Sequence, residues 1–475
     1  MEKEGVTDTG THHPTWLWGV ISAAGRQPEG TLYGQSQAIS LATLGQASSL
    51  GGRLEDLRGR TVLLGVRDQL SAALALLELD GVARRLVLCP PDLPGEHLQH
   101  VVTTAGADAW VGDETGAPQG LAAAFAVSVQ LRPQLSAGLR ERHQSHETEW
   151  VLLTSGTSGA PKLVLHTLAT LTSVLRRRPA ARGSALWSTF YDIRRYGGLQ
   201  IFLRSMHIGS LVLSAAGEPV AEFLARARTA GVTHISGTPS HWRRMLMSGA
   251  AATLEPRYVR LSGEIADQSV LDSLRAVYPQ AAIAHAFASS EAGVAFEVGD
   301  GTAGFPADLL GSGGDIELRV AEGTLQIRSA GNALRYLDAD APPLRRTDGF
   351  VDTGDRVELR AGRYHFVGRT GGVINVGGLK VHPEEIEAVI NSHPWVRMSL
   401  ARSRPNPITG AVVAADVVLA EPSGERPERP PPEMLKRELL DTCKRALPAH
   451  KVPAIIRIVP ALQMSESGKL VRPNA

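Results

Sequence analysis

The chain has 475 residues, 43% of them hydrophobic, with 49 Lys and Arg against 48 Asp and Glu. That length exceeds one ordinary domain and allows real cores in two or more lobes, while a formal net charge of +1 leaves no global field to attract nucleic acid or an anionic membrane. Cys89 and Cys443 form neither a disulfide framework nor metal-ligand spacing and suit a reducing cytoplasm; no run of 18 apolar residues marks a membrane span, and residues 1–14 lack an apolar signal core.

Residues 1–30 read as a loose arm with one apolar patch at Trp16-Leu17-Trp18. From Thr61 the pattern becomes strand–helix–strand: 61–66 is a buried strand, Asp68 caps a helix over 69–79, 85–89 is a second strand stopped by Pro90-Pro91, 95–105 is a helix and 109–111 a third strand. This is a parallel α/β unit. Residues 114–146, rich in Ala, Gln and Arg, carry no clear pattern.

At 151–166 an apolar run ends in Thr154, Ser155, Gly156, Thr157, Ser158 and Gly159, followed by Pro161, Lys162 and a second apolar run. Glycines there permit a sharp turn, four hydroxyls and several backbone N–H groups face one side, and Lys162 adds positive charge, which suits phosphate oxygens. The common phosphate-loop spacing G-x-x-x-x-G-K-[ST] is not met. A plain surface turn between two strands is the alternative. A second β/α alternation follows: helix 167–178, helix 199–206, strand 211–214, helix 219–230, strand 234–239, helix 240–247, strand 258–264, helix 267–278 and strand 283–287. It predicts a second sheet stacked on the first through helices. Phe287-Ala288-Ser289-Ser290-Glu291 closes the last strand, placing hydroxyls and a carboxylate where parallel sheets bind ligands; the alternative is that Ser289 or Ser290 caps a helix with Glu291 in its first turn.

From residue 315 short alternating strands (315–320, 323–328, 356–360) predict an antiparallel section. Asp352-Thr-Gly-Asp355 is either a β-turn or a carboxylate site; a carboxylate can accept two hydroxyl protons at once. Beyond Arg369 come a hairpin at 373–381, a helix at 383–392 opening on Pro and acids, an exposed Pro/Glu-rich loop at 421–432, a helix at 433–447 and a strand near 455–459. Ser465-Glu-Ser-Gly-Lys469-Leu-Val-Arg472 is a basic tail segment, solvated in the plain reading.

The motif T-S-G-T-S-G-x-P-K at 154–162 resembles the phosphate-binding loop of the adenylate-forming superfamily, which includes acyl- and aryl-CoA synthetases, adenylation domains of peptide synthetases and luciferases. Five further segments resemble that family in order: Ser262-Gly263-Glu264, Phe287 to Glu291, Thr353-Gly354-Asp355, 368–387 with Arg369 and Gly377-Gly378, and the terminal Ser-Gly-Lys469. The resemblance implies an α/β fold: a large lobe of two stacked α/β sheets plus an antiparallel β section (1–368, binding ATP and acid) and a small mobile α+β domain (369–475). It implies Glu291 and Ser290 at Mg²⁺ and the phosphates, Phe287, Gly263 and Glu264 at the adenine, Ala288 and Ser289 in the same nucleotide-binding segment, Asp355 and Arg369 at the ribose, Gly377-Gly378 beside a thiol channel, and Lys469 and Lys162 as catalytic cations. A lone Glu with phosphate oxygens and water suffices for Mg²⁺. Two departures stand out: Ala288 replaces a glycine, and Gly371-Gly372 replace the hinge acids.

The implied reaction is ATP-dependent activation of a carboxylic acid as acyl-adenylate with release of pyrophosphate, then transfer to a thiol, CoA being the expected acceptor. The acid is a small molecule whose pocket the resemblance puts at 189–196, where Tyr191, Asp192 and Arg194 are candidate contacts. Asp192 suits an α-amino group, and Arg194 and Arg195 suit a second anion; solvated arginines at a helix start are the plain alternative. A carrier protein or amine as acceptor, a non-carboxylate acid such as nitrite, and a homodimeric assembly stay open.

Overall fold

The computed structural model describes residues 15–22, 28–114, 116–137, 142–154, 160–175, 185–311, 314–407, 409–420, 429–465 and 469–472. Two large sheets dominate. The seven-stranded sheet runs Arg335–Tyr336, Lys162–Thr167, Glu149–Thr154, Arg85–Leu88, Thr61–Gly65, Ala109–Gly112, Val127–Gln130. Its last five strands are parallel and its first two antiparallel to their neighbours. The eight-stranded sheet runs Gly293–Val298, Ala282–Ser289, Tyr258–Ser262, His234–Gly237, Trp187–Thr189, Leu211–Leu213, Thr31–Tyr33, Ala38–Ser40, parallel except at both edges.

Helices Gln69–Leu79 and Tyr196–Ile208 contribute to one core with both sheets. The first is apolar nearly all round because it is buried on every side, and Asp68 caps it by accepting the Ser71 N–H at 2.8 Å. The apolar patch at Trp16–Trp18 is not part of a loose arm: Leu17–Ile21 is a helix with Leu17, Trp18 and Ile21 buried in that same core. The unpatterned 114–146 stretch supplies the edge strand Val127–Gln130.

The antiparallel section is a five-stranded sheet, Phe305–Pro306, Arg363–Arg369, Val351–Arg360, Thr324–Ser329, Ile316–Ala321. Thr353-Gly354-Asp355 lies inside a strand rather than in a free turn, with Gly354 at φ +68° and a register shift nearby at Arg356/Val357. After Arg369 the chain builds a smaller α+β region: hairpin Ile374–Val376/Leu379–Val381, helices Pro383–Asn391 and Pro432–Ala446, and the sheet Val396–Asn406, Gly410–Leu419, Ile455–Ile458, around its own core. Among the described residues no helix is long and apolar enough to cross a membrane.

Candidate active site

Strands Glu149–Thr154 and Lys162–Thr167 form a hairpin that sets Thr154 opposite Lys162. Its tip (Ser155, Gly156, Thr157, Ser158 and Gly159) lies outside the described residues. The Lys162 ammonium sits 5.1 Å over the Tyr336 ring, and the Leu163 N–H donates to Asp338 Oδ2 at 2.8 Å.

Ser290 and Glu291 sit on the turn between antiparallel strands Ala282–Ser289 and Gly293–Val298, so no helix starts there. Ser289 Oγ accepts the Ala292 N–H at 3.0 Å within that turn. Ala288 stands at a register shift with no positive φ, which explains why alanine is tolerated at that position. Two residues that sequence reading missed brace the turn. His166, fully buried, has Nε2 2.7 Å from the Ser290 carbonyl. A carbonyl only accepts, so Nε2 carries the proton and Nδ1 accepts from Thr170 Oγ1 at 2.9 Å. Burial lowers the His166 pKa to about 4. Tyr336 Oη donates to Glu291 Oε1 at 3.4 Å, so one tyrosine touches both the carboxylate and Lys162. The only hint in the sequence was a histidine closing an apolar run. Phe287 stacks on Phe366 with centroids 5.2 Å apart and an 8° interplanar angle.

Asp355 and Arg369 are cross-strand partners, with Nε 3.3 Å from Asp355 Oδ1, and Arg369 Nη2 donates to the Thr353 carbonyl at 3.0 Å. Burial raises the Asp355 pKa above the usual carboxylate value; Arg369, Thr353 and Lys469 work against that, and Glu291 adds to it.

Lys469 belongs to the tail yet reaches this cluster. Its backbone closes a turn with Ser465, whose N–H donates to the Lys469 carbonyl at 2.8 Å, and the Leu470 N–H donates to Glu264 Oε1 at 3.3 Å. Glu264 Oε2 accepts the Ser240 N–H at 3.0 Å, so this carboxylate ties the tail to helix Pro239–Met247. Lys469 Cε passes Gly263 so closely that a methyl on that residue would lie 3.6 Å away. Lys469 keeps solvent access, but desolvation of its ammonium lowers its pKa; Glu264 and Asp355 oppose this, while Arg369 and Arg195 reinforce it. Arg472 then pairs with both Glu387 oxygens at 2.8 and 2.7 Å.

The 189–196 candidates are all engaged by partners within the protein. Arg194, buried, donates to Asp192 through its backbone N–H and Nε, both 2.8 Å, and also to the carbonyls of Val66 and Arg67. Arg195 pairs with Asp92. Tyr191 Oη donates to the Ser262 carbonyl at 2.7 Å, and burial pushes its pKa up to about 12. Gly377 and Gly378 form the tight hairpin turn at φ +59° and +86°, where only glycine is relaxed, and the Gly377 N–H donates to Thr409 O at 2.9 Å. A cavity of about 440 Å³ adjoins that turn, bordered by Val373, Asn375, Ser403 and Thr409.

Lys162 and Glu291 meet at Tyr336, and Glu291, Lys469 and Arg369 all act on the charge of Asp355, so two carboxylates and three cations gather in one place, a set of charges suited to a nucleotide. The family model of AMP-binding enzymes matches residues 66–315, and that of the AMP-binding enzyme C-terminal domain matches residues 385–469, so the chain belongs to the AMP-binding enzymes. It is 29% identical over 362 residues to 2-succinylbenzoate–CoA ligase of Salmonella typhimurium, covering 72% of each protein. Its fold is similar to the anthranilate CoA ligase AuaEII in complex with anthranoyl-AMP (TM-score 0.78, 18% identity, 96% of both chains). The amide bond synthetase McbA from Marinactinospora thermotolerans is similar as well (TM-score 0.74, 18% identity, 96% of this chain and 98% of that one).

Proposed function

We propose that this chain is an ATP-dependent, AMP-forming acid–thiol ligase: it activates a small-molecule acid as an acyl-adenylate, releases pyrophosphate, and passes the acyl group to CoA. The observation that carries this reading is the convergence of Lys469, beside Gly263 and Glu264, with the Asp355–Arg369 pair. Thr154 to Gly159 and Lys162 cradle the phosphates, Asp355 and Arg369 take the ribose hydroxyls, and Gly263, Glu264, Phe287, Ala288 and Ser289 surround the adenine. Glu291 with Ser290 fits Mg²⁺: the carboxylate is partly exposed, and Tyr336 Oη is its one side-chain hydrogen-bond partner among the described residues. A single carboxylate with phosphate oxygens and water is an ordinary Mg²⁺ environment. When bound, the ion neutralises phosphate charge.

A carboxylate is a poor acyl donor because its leaving group is oxide; exchange for AMP solves this, and the barrier is largely repulsion between anions. Lys469 meets that charge between the α-phosphate and the incoming acid. The second half-reaction needs a thiol where Lys469 stands. We therefore assign residues 1–368 and 369–475 to two lobes that swing about Arg369 to Gly372, bringing Gly377-Gly378 to the acceptor. Two buried free cysteines fit a cytoplasmic location.

A second reading keeps the adenylation and changes the partner. CoA ligases and an amide bond synthetase share this fold, so a carrier protein or amine as acceptor, or nitrite as the acid, stays in the test. ATP–pyrophosphate exchange across carboxylic acids, amino acids and nitrite is expected to be Mg²⁺-dependent and acid-dependent. Mass spectrometry with CoA present should then find an acyl-CoA. Adenylate without thioester, transferred instead to a carrier or amine, overturns the CoA assignment.

A further inference from the structure

The space behind the proposed acid position is occupied by the protein itself. Tyr191 Oη lies 2.7 Å from the Ser262 carbonyl and 3.0 Å from Ser262 Oγ, directly before Gly263. Arg260 Nη1 reaches the same Oγ at 3.4 Å while its Nε pairs with Glu297 at 3.0 Å. The Tyr196 hydroxyl faces the Val294 backbone. A side chain that walls an open pocket keeps accessible surface. Tyr191 and Tyr196 keep 7% each, Ser262 4% and Arg260 3%. These four side chains therefore leave little surface open to a ligand. The flanks are closed by the ion pairs Asp192–Arg194 and Asp92–Arg195, the second near enough to Lys469 to act on its charge.

Resting on the adenylating reading above, we infer that the acid is short and polar, without an aromatic ring or alkyl tail, and that Tyr196 and Tyr191 set this size limit. A hydrocarbon tail would have to displace tyrosines whose hydroxyls already have partners and leave Ser262 and Arg260 with stranded polar atoms, a cost that small acids avoid. A short acid needs only the solvent-open side of Lys469, where the charged pairs suit a hydrophilic molecule.

The test is ATP–pyrophosphate exchange on the full chain with formate, acetate, glycolate and nitrite set against hexanoate, benzoate and 2-succinylbenzoate. Expected is exchange with short acids exceeding that with large ones by about 100-fold, the scale on which pocket shape discriminates. Tyr196→Ala should raise hexanoate or benzoate exchange about tenfold or more. Tyr196→Phe, which keeps the ring, should retain the wild-type limit, and thermal unfolding should establish that each variant is folded. Wild-type exchange with benzoate or hexanoate equal to that with acetate overturns the size inference and leaves adenylation standing. An unchanged acid range in a folded Tyr196→Ala protein overturns the role given to Tyr196. Exchange with no acid of either size removes the adenylating reading, and this inference falls with it.

Discussion

The Leu470 N–H donates to Glu264 Oε1 at 3.3 Å, so a carboxylate of the large lobe holds the residue that follows Lys469. The other oxygen of the same carboxylate accepts the Ser240 N–H, which makes Glu264 a clamp with two jaws. Glutamine has one accepting oxygen, so Glu264→Gln must release one of them. Adenylation should slow about tenfold, the loss of one hydrogen bond to a charged group. The ammonium is the working form of Lys469, and activity falls as pH rises through its pKa. Glu264 raises that pKa against burial, so its removal should move the alkaline limb of the exchange profile to lower pH. An unmoved limb would separate Glu264 from Lys469.

Lys469→Ala tests the two half-reactions separately. Loss of one such electrostatic contact costs on the order of 10²–10³ in rate. Pyrophosphate exchange should fall by that factor, and thioester formation from supplied acyl-adenylate should stay close to wild type. Equal losses in both would reject a lysine that serves only the first step.

Glu291→Gln should raise the Mg²⁺ concentration that exchange requires and slow adenylate formation. A variant with wild-type rate and wild-type Mg²⁺ response would remove Glu291 as a metal ligand. Tyr336→Phe deletes the 3.4 Å contact while keeping the ring under Lys162, and should raise the Mg²⁺ requirement more mildly.

His166 predicts a stability profile. Its folded pKa of about 4 lies below the ordinary histidine value of 6.5, so the unfolded chain binds the extra proton more readily. Its contribution is complete above about pH 6.5 and is lost as pH falls toward 4, by roughly 3 kcal/mol at most. His166→Gln keeps a donor for the Ser290 carbonyl and cannot titrate. Its melting temperature should fall less steeply between those limits than that of the wild type, as scanning calorimetry would measure.

Local chemistry made the scaffold legible. The Asp68 cap and the all-round apolar pattern of 69–79 located a central helix, and strand–helix alternation implied both sheets. Where the partner is distant, sequence reading failed. Leu17 and Trp18 looked like part of a loose arm because the core that buries them is built mostly from later residues. A β-turn is one of two readings of 352–355, and it does not hold because Gly354 bends a strand without ending it. Candidate site residues were visible as motifs, whereas their supports were not: Arg194 finds its carbonyls 127 and 128 residues upstream, and His166 meets Ser290 across 124. Nothing in the local pattern announces such pairs.

Gly371 and Gly372 lie one residue, Thr370, beyond the strand Arg363–Arg369 of the antiparallel section. A methyl group on Gly371 would meet nothing within 4 Å, and neither residue has a φ in the left-handed region. A side chain would fit both in space and in backbone, so glycine here contributes breadth of motion rather than clearance. In the two-lobe cycle proposed above, the dwell time of a reactive adenylate between its formation and its transfer would be set at this joint. In that cycle a slower swing would leave more of the intermediate to hydrolysis and a faster one would commit it to the acceptor, so a substitution at 371 is expected to change that leakage.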